Sequence, residues 1–156
     1  MKQVLLCSLL CVFTINSFCQ QSGWKKFNHK YGFTIQLPNH FKEATLTASG
    51  IQYYESDAIG DDVMIMVETF GSKGNETERL FDNYNSALKD NKNITYKHLE
   101  KDHFVVSGYD DTGIYYIRYI ENKEYNFFLR IQYSRQNKIA MDELVPKIAR
   151  SFRTYN

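Results

Sequence analysis

Apolar and polar residues alternate along most of the chain after residue 23, and this pattern predicts β-strands joined by short polar turns. In one segment the apolar Val63, Ile65 and Val67 alternate with Met64 and Met66, which are expected on the opposite face. Strands are predicted at residues 24–28, 33–37, 51–56, 63–67, 96–100, 103–109, 114–121 and 124–134. The second half of the chain is therefore predicted to be a meander of antiparallel strands.

Two segments instead space their apolar residues three and four apart, as amphipathic helices do. The first follows Asn75 and Glu78, whose spacing predicts a capping box. Its expected buried stripe is Leu80, Phe81, Tyr84, Ala87 and Leu88. The second helix is predicted from about Asp142 to Phe152, where Pro146 should tighten or kink the first turn.

Residues 1–19 have the layout of a secretory signal. Lys2 gives a positive start, an apolar run follows, and Ser17 and Cys19 are small residues at the two positions that a signal peptidase reads. The apolar run is too short for a comfortable membrane span. We therefore predict cleavage after Cys19 and export to the periplasm or the medium, with one globular domain over residues 20–156.

All three cysteines, Cys7, Cys11 and Cys19, lie in the predicted signal. The exported part then has no thiol for a disulfide, a nucleophile or a zinc site. Cys19 has a second interpretation as the acylated cysteine of a bacterial lipoprotein. Asn16 and Phe18 do not match the aliphatic and small residues which that site prefers, so simple cleavage is the favoured prediction.

The charge balance argues against two classes of binding partner. Lys2 is the only charged residue of the predicted signal, so the rest of the chain carries 18 basic and 18 acidic residues. A net charge of zero, with no basic run longer than Lys25-Lys26, argues against nucleic acid and acidic membrane surfaces. No apolar stretch after the signal is long enough to span a bilayer, so no transmembrane segment is predicted.

The predicted hairpin over residues 114–133 offers the best candidate for a binding surface. With Asn122-Lys123 as its turn, one face is apolar apart from Arg118. The other face mixes aromatic rings with an arginine and amides, which are common at binding hot spots. The predicted contact residues are Tyr115, Tyr119, Phe128 and Arg130. The alternative is that a helix covers this face and the rings only pack.

Two groups of residues are weaker candidates for a metal site. Asp57, Asp61 and Asp62 crowd one loop, but their spacing is not that of a calcium-binding EF-hand, and a solvated turn is favoured. His98 and His103, with Glu100, are expected on one face of a hairpin, although nothing completes a ligand shell.

The other ionisable residues and motifs suggest no chemistry. His29 and His40 are interpreted as surface residues near strand ends. The sequence has no P-loop, dinucleotide fingerprint or H-E-x-x-H motif. No cofactor is therefore predicted.

Two local sequences resemble a known family. The segment YGFTIQLP at residues 31–38 resembles the opening strand of the PsbP-like superfamily, and IARSF at residues 148–152 resembles its closing helix. The resemblance implies an α+β fold with an antiparallel sheet sandwiched between helices. The family's known members are accessory proteins, namely an extrinsic subunit of photosystem II and a nuclear-import factor that binds a small GTPase. They share no catalytic residue set, so the resemblance implies no catalytic residue here.

Together these observations predict an exported α+β domain that acts without catalysis, as a binding or accessory protein of the bacterial cell envelope. Its expected partner is another envelope protein. One alternative is a secreted metal-dependent enzyme that uses the loop at residues 57–62 or the group of His98, Glu100 and His103. Another is a small-ligand carrier with a pocket between sheet and helix.

Overall fold

The computed structural model describes residues 23–44, 50–59, 62–71 and 76–155, without the side chains of residues 76–78. The predicted signal at residues 1–19 and Asp61 of the aspartate loop lie outside the described residues. So does Asn75, the first residue of the expected capping box.

Within these ranges the chain forms ten strands and two α-helices. The strands are β1 (Trp24–His29), β2 (Phe33–Pro38), β3 (Phe41–Glu43), β4 (Ile51–Ser56), β5 (Val63–Gly71), β6 (Ile94–Leu99), β7 (His103–Tyr109), β8 (Ile114–Glu121), β9 (Tyr125–Tyr133) and β10 (Arg153–Thr154). The helices are α1 (Glu76–Asp90) and α2 (Lys138–Ser151). A single 3₁₀ turn over Arg135–Asn137 leads into α2.

The strands pair antiparallel in two sheets. The large sheet has seven strands in the order β3-β4-β5-β9-β8-β7-β6, and the small sheet has three in the order β1-β2-β10. The α+β class with antiparallel pairing is confirmed, but the single predicted sheet is wrong. The first two strands pair with each other, and Arg153 and Thr154 at the far end of the chain join β2.

Side-chain alternation in the large sheet separates two cores. The first core joins this sheet to the small sheet and to α2; among its most buried members are Phe33, Ile35, Leu37, Ile65, Leu129, Ile131, Met141, Ile148 and Phe152. The second core joins the sheet to α1 and contains Leu80, Ala87, Phe104, Val106, Tyr115, Ile117 and Tyr119. Neighbouring residues of a strand point to opposite faces. Because Tyr116 packs in the first core and Ile117 in the second, α1 and α2 lie on opposite faces.

The β8–β9 hairpin has the predicted faces but a different turn. Glu121 pairs with Asn126, which centres the turn one residue later than predicted. The Asn122 side-chain oxygen accepts the backbone N–H groups of Glu124 and Tyr125 at 2.9 and 2.7 Å, so Asn122 caps the turn from outside it. Every cross-strand partner moves by two residues. Since side-chain orientation repeats every two residues, none changes face.

The buried stripe of α1 is narrower than predicted. Leu80 and Ala87 are buried and Tyr84 and Leu88 are partly buried, as expected. Phe81 is the exception, because 55% of its surface is exposed. Phe81 is therefore not part of the second core, to which α1 contributes Leu80, Ala87, Tyr84 and Leu88.

The second helix begins earlier than predicted. It starts at Lys138 instead of Asp142, and an ion pair between these two residues, four positions apart, stabilises its first turn. Pro146 therefore lies in the helix interior, where its missing N–H leaves the Asp142 carbonyl without its usual helical hydrogen bond. Buried Met141 and Ile148 on either side of Pro146 hold both halves of α2 against the first core.

His29 is buried, which corrects its interpretation as a surface residue. Only 8% of its surface is exposed, and its ring stacks on Phe33 with centroids 4.8 Å apart and lies 5.1 Å from the Tyr31 ring. Its Nδ1 has no hydrogen-bond partner among the described residues. Burial lowers the pKa of His29, although the Glu43 charge and a hydrogen bond with Gln52 act in the opposite direction.

Because the folded pKa of His29 is below its ordinary value, the folded state takes up a proton less readily than the unfolded chain. We predict that the free energy of unfolding is greatest above the ordinary histidine pKa of about 6.5 and falls as the pH decreases below it. His29→Phe retains a ring and removes this dependence. Urea denaturation from pH 8 to pH 5 measures both proteins, and parallel pH profiles would contradict the prediction.

Gly108 of β7 lies close to the backbone of Asn93, the residue that precedes β6. A Cβ at this position would meet the Asn93 carbonyl oxygen and lie 2.6 Å from the Tyr115 hydroxyl, which donates a hydrogen bond to the Lys92 carbonyl. We predict that Gly108→Ala lowers the free energy of unfolding by about 1–3 kcal/mol. The control is Gly71→Ala, whose Cβ meets no atom of the described residues within 4 Å; it should change the free energy of unfolding by less than about 0.5 kcal/mol. Equal urea midpoints for the two variants would refute this account.

Candidate binding surface beside the first helix

The second face of the large sheet is only partly covered by α1. Its Leu80 and Ala87 pack over residues of β7 and β8. On the same face, β4, β5 and β9 carry side chains that are half-buried or exposed. We call these residues the open face: Ile51, Tyr53, Glu55, Met64, Met66, Glu68, Phe70, Phe128, Arg130 and Gln132.

The strand register arranges the open face in rows. Tyr53 pairs with Met66, and Met66 pairs with Arg130 on the next strand. Apolar groups thus lie beside the guanidinium. Aromatic rings, methionine and arginine are the residue types enriched at protein interfaces.

A cleft of about 310 Å³ separates α1 from β9. Its walls are Phe70, Phe128 and Arg130 from the strands and Asn83, Ser86 and Asp90 from the helix. Tyr119 lies at its floor. One wall is therefore mostly aromatic and the other polar, and the volume is at the lower end of the range for small-molecule sites.

Tyr119 and Tyr115, two of the four predicted contact residues, lie under α1. The Tyr119 ring is 1% exposed and stacks on Phe104 with centroids 5.0 Å apart, and its hydroxyl accepts a hydrogen bond from the Asn83 amide at 3.0 Å. Burial raises the pKa of Tyr119, so its hydroxyl stays neutral. Tyr115 is fully buried and donates to the Lys92 carbonyl at 2.8 Å. Both rings pack as the alternative interpretation expected, and a part in binding stays a prediction.

Phe128 and Arg130, the other two predicted residues, border the cleft. The Arg130 Nε donates to the Gln132 side-chain oxygen at 3.0 Å, and its Nη2 lies 3.7 Å from an oxygen of Asp110. The guanidinium carbon is 5.9 Å from the centre of the Tyr115 ring, within range of a cation–π contact. Arg130 is therefore held in position while 24% of its side chain remains exposed.

The acidic partner of Arg130 is itself fixed by its loop. Burial disfavours the charged form of Asp110, but hydrogen bonds from Thr112 and Gly113 outweigh it and lower the pKa of Asp110. Asp110 is therefore ionised at neutral pH and supports the positive charge of Arg130.

The aspartate loop is described in part. Asp57 forms an exposed ion pair with Lys42 at 2.7 Å. The Asp62 backbone carbonyl accepts the N–H of Ser134 at 3.2 Å. Because Asp61 lies outside the described residues, the solvated turn favoured for this loop stays a prediction, and calcium binding stays its untested alternative.

His98, Glu100 and His103 do not form the metal site considered from the sequence. His98 lies 2.7 Å from Glu100, but His103 instead pairs with Asp102 at 2.8 Å. The hydrogen bond from His103 is the main cause that lowers the pKa of Asp102. Nowhere in the described ranges are three histidine, cysteine, aspartate or glutamate side chains placed to hold a metal ion.

Several open-face residues were not among the predicted contacts. The alternation of residues in β5 predicted that Met64 and Met66 lie on the face opposite Val63, Ile65 and Val67. This pattern was the sequence signal that could have identified them as surface residues of the sheet. Asn83 and Asp90 gave no such signal, because their position depends on where α1 lies across the sheet. In the part of the chain that the structure describes, no helix is long and apolar enough to cross a membrane.

The hydrogen bond between Asn83 and Tyr119 joins the helix to the floor of the cleft. We predict that Asn83→Ala lowers the free energy of unfolding by about 1–3 kcal/mol, because the buried Tyr119 hydroxyl loses its donor. In a protein that already carries Asn83→Ala, Tyr119→Phe should lower the free energy of unfolding by less than Tyr119→Phe does alone. A double-mutant cycle by urea denaturation measures the coupling, and additive losses would show that the bond contributes nothing.

Comparison with known proteins places the fold. No family model matches the sequence, and no match was found among curated proteins. The solution structure of cyanobacterial PsbP (CyanoP) from Synechocystis sp. PCC 6803 is similar, with a TM-score of 0.61 and 11% identity over 86% of this chain and 94% of that one. A crystal structure from Bacteroides thetaiotaomicron VPI-5482 is similar over 85% of this chain and 48% of that one, with a TM-score of 0.56 and 11% identity. At this identity the likeness concerns the fold alone. The chain therefore has a PsbP-like fold, as the resemblance of residues 31–38 and 148–152 implied.

Proposed function

We propose that this protein is an exported, non-catalytic accessory protein of the bacterial cell envelope that binds another envelope protein through the open face. The open face itself is the observation that supports this proposal. Contiguous apolar side chains on a protein surface mark interaction sites when they form a patch. Here they span three adjacent strands and border a cleft, and Glu68 lies among them, paired with Ile51 and Phe128.

The chemistry of the open face suits a protein partner. Phe128 and Phe70 offer apolar anchor positions, and Met64 and Met66 adapt their shape to an incoming side chain. Arg130 is already oriented by Gln132 and Asp110, so less of its side-chain freedom is lost when a partner binds.

The PsbP-like fold supports an accessory role by analogy. In that architecture a sheet lies between helices, and the two cores on opposite faces of the large sheet support the same arrangement here. Fold analogy carries no catalytic residues to this chain, so binding is the simpler proposal.

Export follows from the layout of residues 1–19, and the state of Cys19 is part of the proposal. Cleavage after Cys19 gives a free periplasmic or secreted protein, whereas an acylated Cys19 gives a lipoprotein. The mass of the protein isolated from its own cells distinguishes the two. A mature N-terminus at Gln20 supports the first form, and a lipid-modified cysteine supports the second.

A small-ligand carrier is the second candidate, and the cleft favours it. The cleft has room for a small molecule, with aromatic residues on one side and the amides of Asn83 and Asn91 on the other. Native mass spectrometry of the protein purified from its host tests this candidate directly. A bound small molecule that Phe128→Ala releases would favour the carrier.

Site-specific photo-crosslinking in the host tests the protein-binding proposal. A benzophenone amino acid is placed at Met66 or Phe70 on the open face, and at Ile139 on α2 as the control. Ile139 is 88% exposed and belongs to the helix on the opposite face. We predict one discrete crosslinked protein from positions 66 and 70 and none from position 139.

Substitutions then identify the contact. With the probe at Phe70, we expect Phe128→Ala and Arg130→Ala each to reduce the crosslinked product at least tenfold. Arg135→Ala, which removes an arginine outside the open face, should leave it unchanged, and circular dichroism checks that each variant is folded. No product at positions 66 and 70, or an equal product at 139, would refute binding through the open face.

A further inference from the structure

The last strand of the large sheet, β6, is exposed on both of its faces. Ile94 is partly buried, and every residue from Thr95 to Leu99 is exposed. Tyr96 and Leu99 are large apolar side chains with 53% and 38% of their surface exposed. A strand this exposed contributes little to either core, and its side chains are accessible to another chain.

The backbone of β6 also presents unpaired hydrogen-bonding groups. In the described sheet β7 is its one neighbour. The Glu100 N–H donates to the His103 carbonyl at 2.8 Å, and hydrogen-bonded pairs alternate with non-bonded pairs in an antiparallel ladder. The N–H and C=O groups of Lys97 and Leu99 therefore point away from β7, toward the open edge.

A groove beside this edge could receive the side chains of an added strand. Leu88 of α1 and the β6 residues Ile94, Tyr96 and Lys97 line a cavity of about 310 Å³. Phe81 lies seven residues before Leu88, about two helical turns, and therefore on the same side of α1. Its ring is 55% exposed.

Charge disfavours a second copy of this chain as the occupant. Two antiparallel copies of β6 that pair through their outward groups have their two-fold axis at residue 97, 98 or 99. These registers place Lys97 opposite Lys97, Lys97 opposite Leu99 with Lys97 and Lys101 of the other copy diagonally beside it, or Lys97 opposite Lys101. Like charges directly opposite each other destabilise a strand pair.

We propose that β6 accepts an extended segment of a partner protein as an eighth strand. The segment has an acidic residue opposite Lys97 and apolar residues two positions away on either side. Lys97 is exposed and forms no ion pair with an acidic side chain of the described residues. The apolar residues of the segment then lie on the α1 side, against Leu99 and in the groove beside Leu88.

Lys97 also explains how the edge avoids unwanted pairing. A lysine on an edge strand discourages association with apolar strands, because its charge would lose water without compensation. An acidic residue opposite provides that compensation. This surface is separate from the open face, so the inference does not depend on the proposed function.

Backbone NMR of the chain from residue 20 to residue 156, titrated with synthetic peptides, tests the proposal. The first peptide alternates threonine and valine around a central glutamate, and the matched peptide carries lysine at the centre. We expect the glutamate peptide to shift and protect the amides of Lys97 and Leu99, and to bind at least tenfold more tightly than the lysine peptide. Lys97→Glu should reverse this preference.

Leu99→Pro provides the decisive variant. It removes an outward N–H and leaves the hydrogen bonds to β7, whereas Leu99→Val keeps the N–H and serves as the control. We expect Leu99→Pro to reduce peptide binding at least tenfold and Leu99→Val to preserve it. Binding that survives Leu99→Pro, or no amide shift at millimolar peptide, would overturn the proposal. A peptide-free dimer that Leu99→Pro dissociates would also overturn it, because the occupant would then be a second copy.

Discussion

The width of one helix limits how much of the large sheet can be buried on its second face. A helix with its side chains is about 10–12 Å across, and neighbouring strands are about 4.8 Å apart. A single helix therefore covers two or three strands, and α1 lies over β7 and β8 of a seven-stranded sheet. On the first face the small sheet and α2 act together, and the core there is larger. The open face on one side of α1 and the exposed β6 on the other both follow from this mismatch in width.

Two arginines in the central hairpin show how the faces differ. Arg118 is the one charged residue on the apolar face of β8, and it donates a hydrogen bond to the Ala149 carbonyl in the last turn of α2. A cation at a helix C-terminus is stabilised by the helix dipole, so Arg118 has a structural role. Arg130 points to the other face, where α1 does not fully cover it, and it remains partly exposed beside Phe128. The same residue type thus joins elements on one face and is available to a partner on the other.

Local patterns predicted the strands and their faces because alternation is a property of neighbouring residues. The limits of β7 and β8 are as predicted. Asn122 misled the turn prediction because its side chain caps the turn instead of forming its centre. Pairing of Arg153 with Thr34 joins distant parts of the chain and left no local signal. For the same reason the sequence predicted the face of Tyr115 and Tyr119 but not that α1 would bury them.

The central claim is that the open face is a contact surface in the cell. Methionine oxidation tests it, because Met64 and Met66 lie on that face and Met141 is fully buried in the first core. The account predicts that brief peroxide treatment oxidises Met64 and Met66 quickly in the purified protein and at least several-fold more slowly in intact cells. Met141 should react slowly in both. Equal oxidation rates for Met64 and Met66 in cells and in solution would contradict the account.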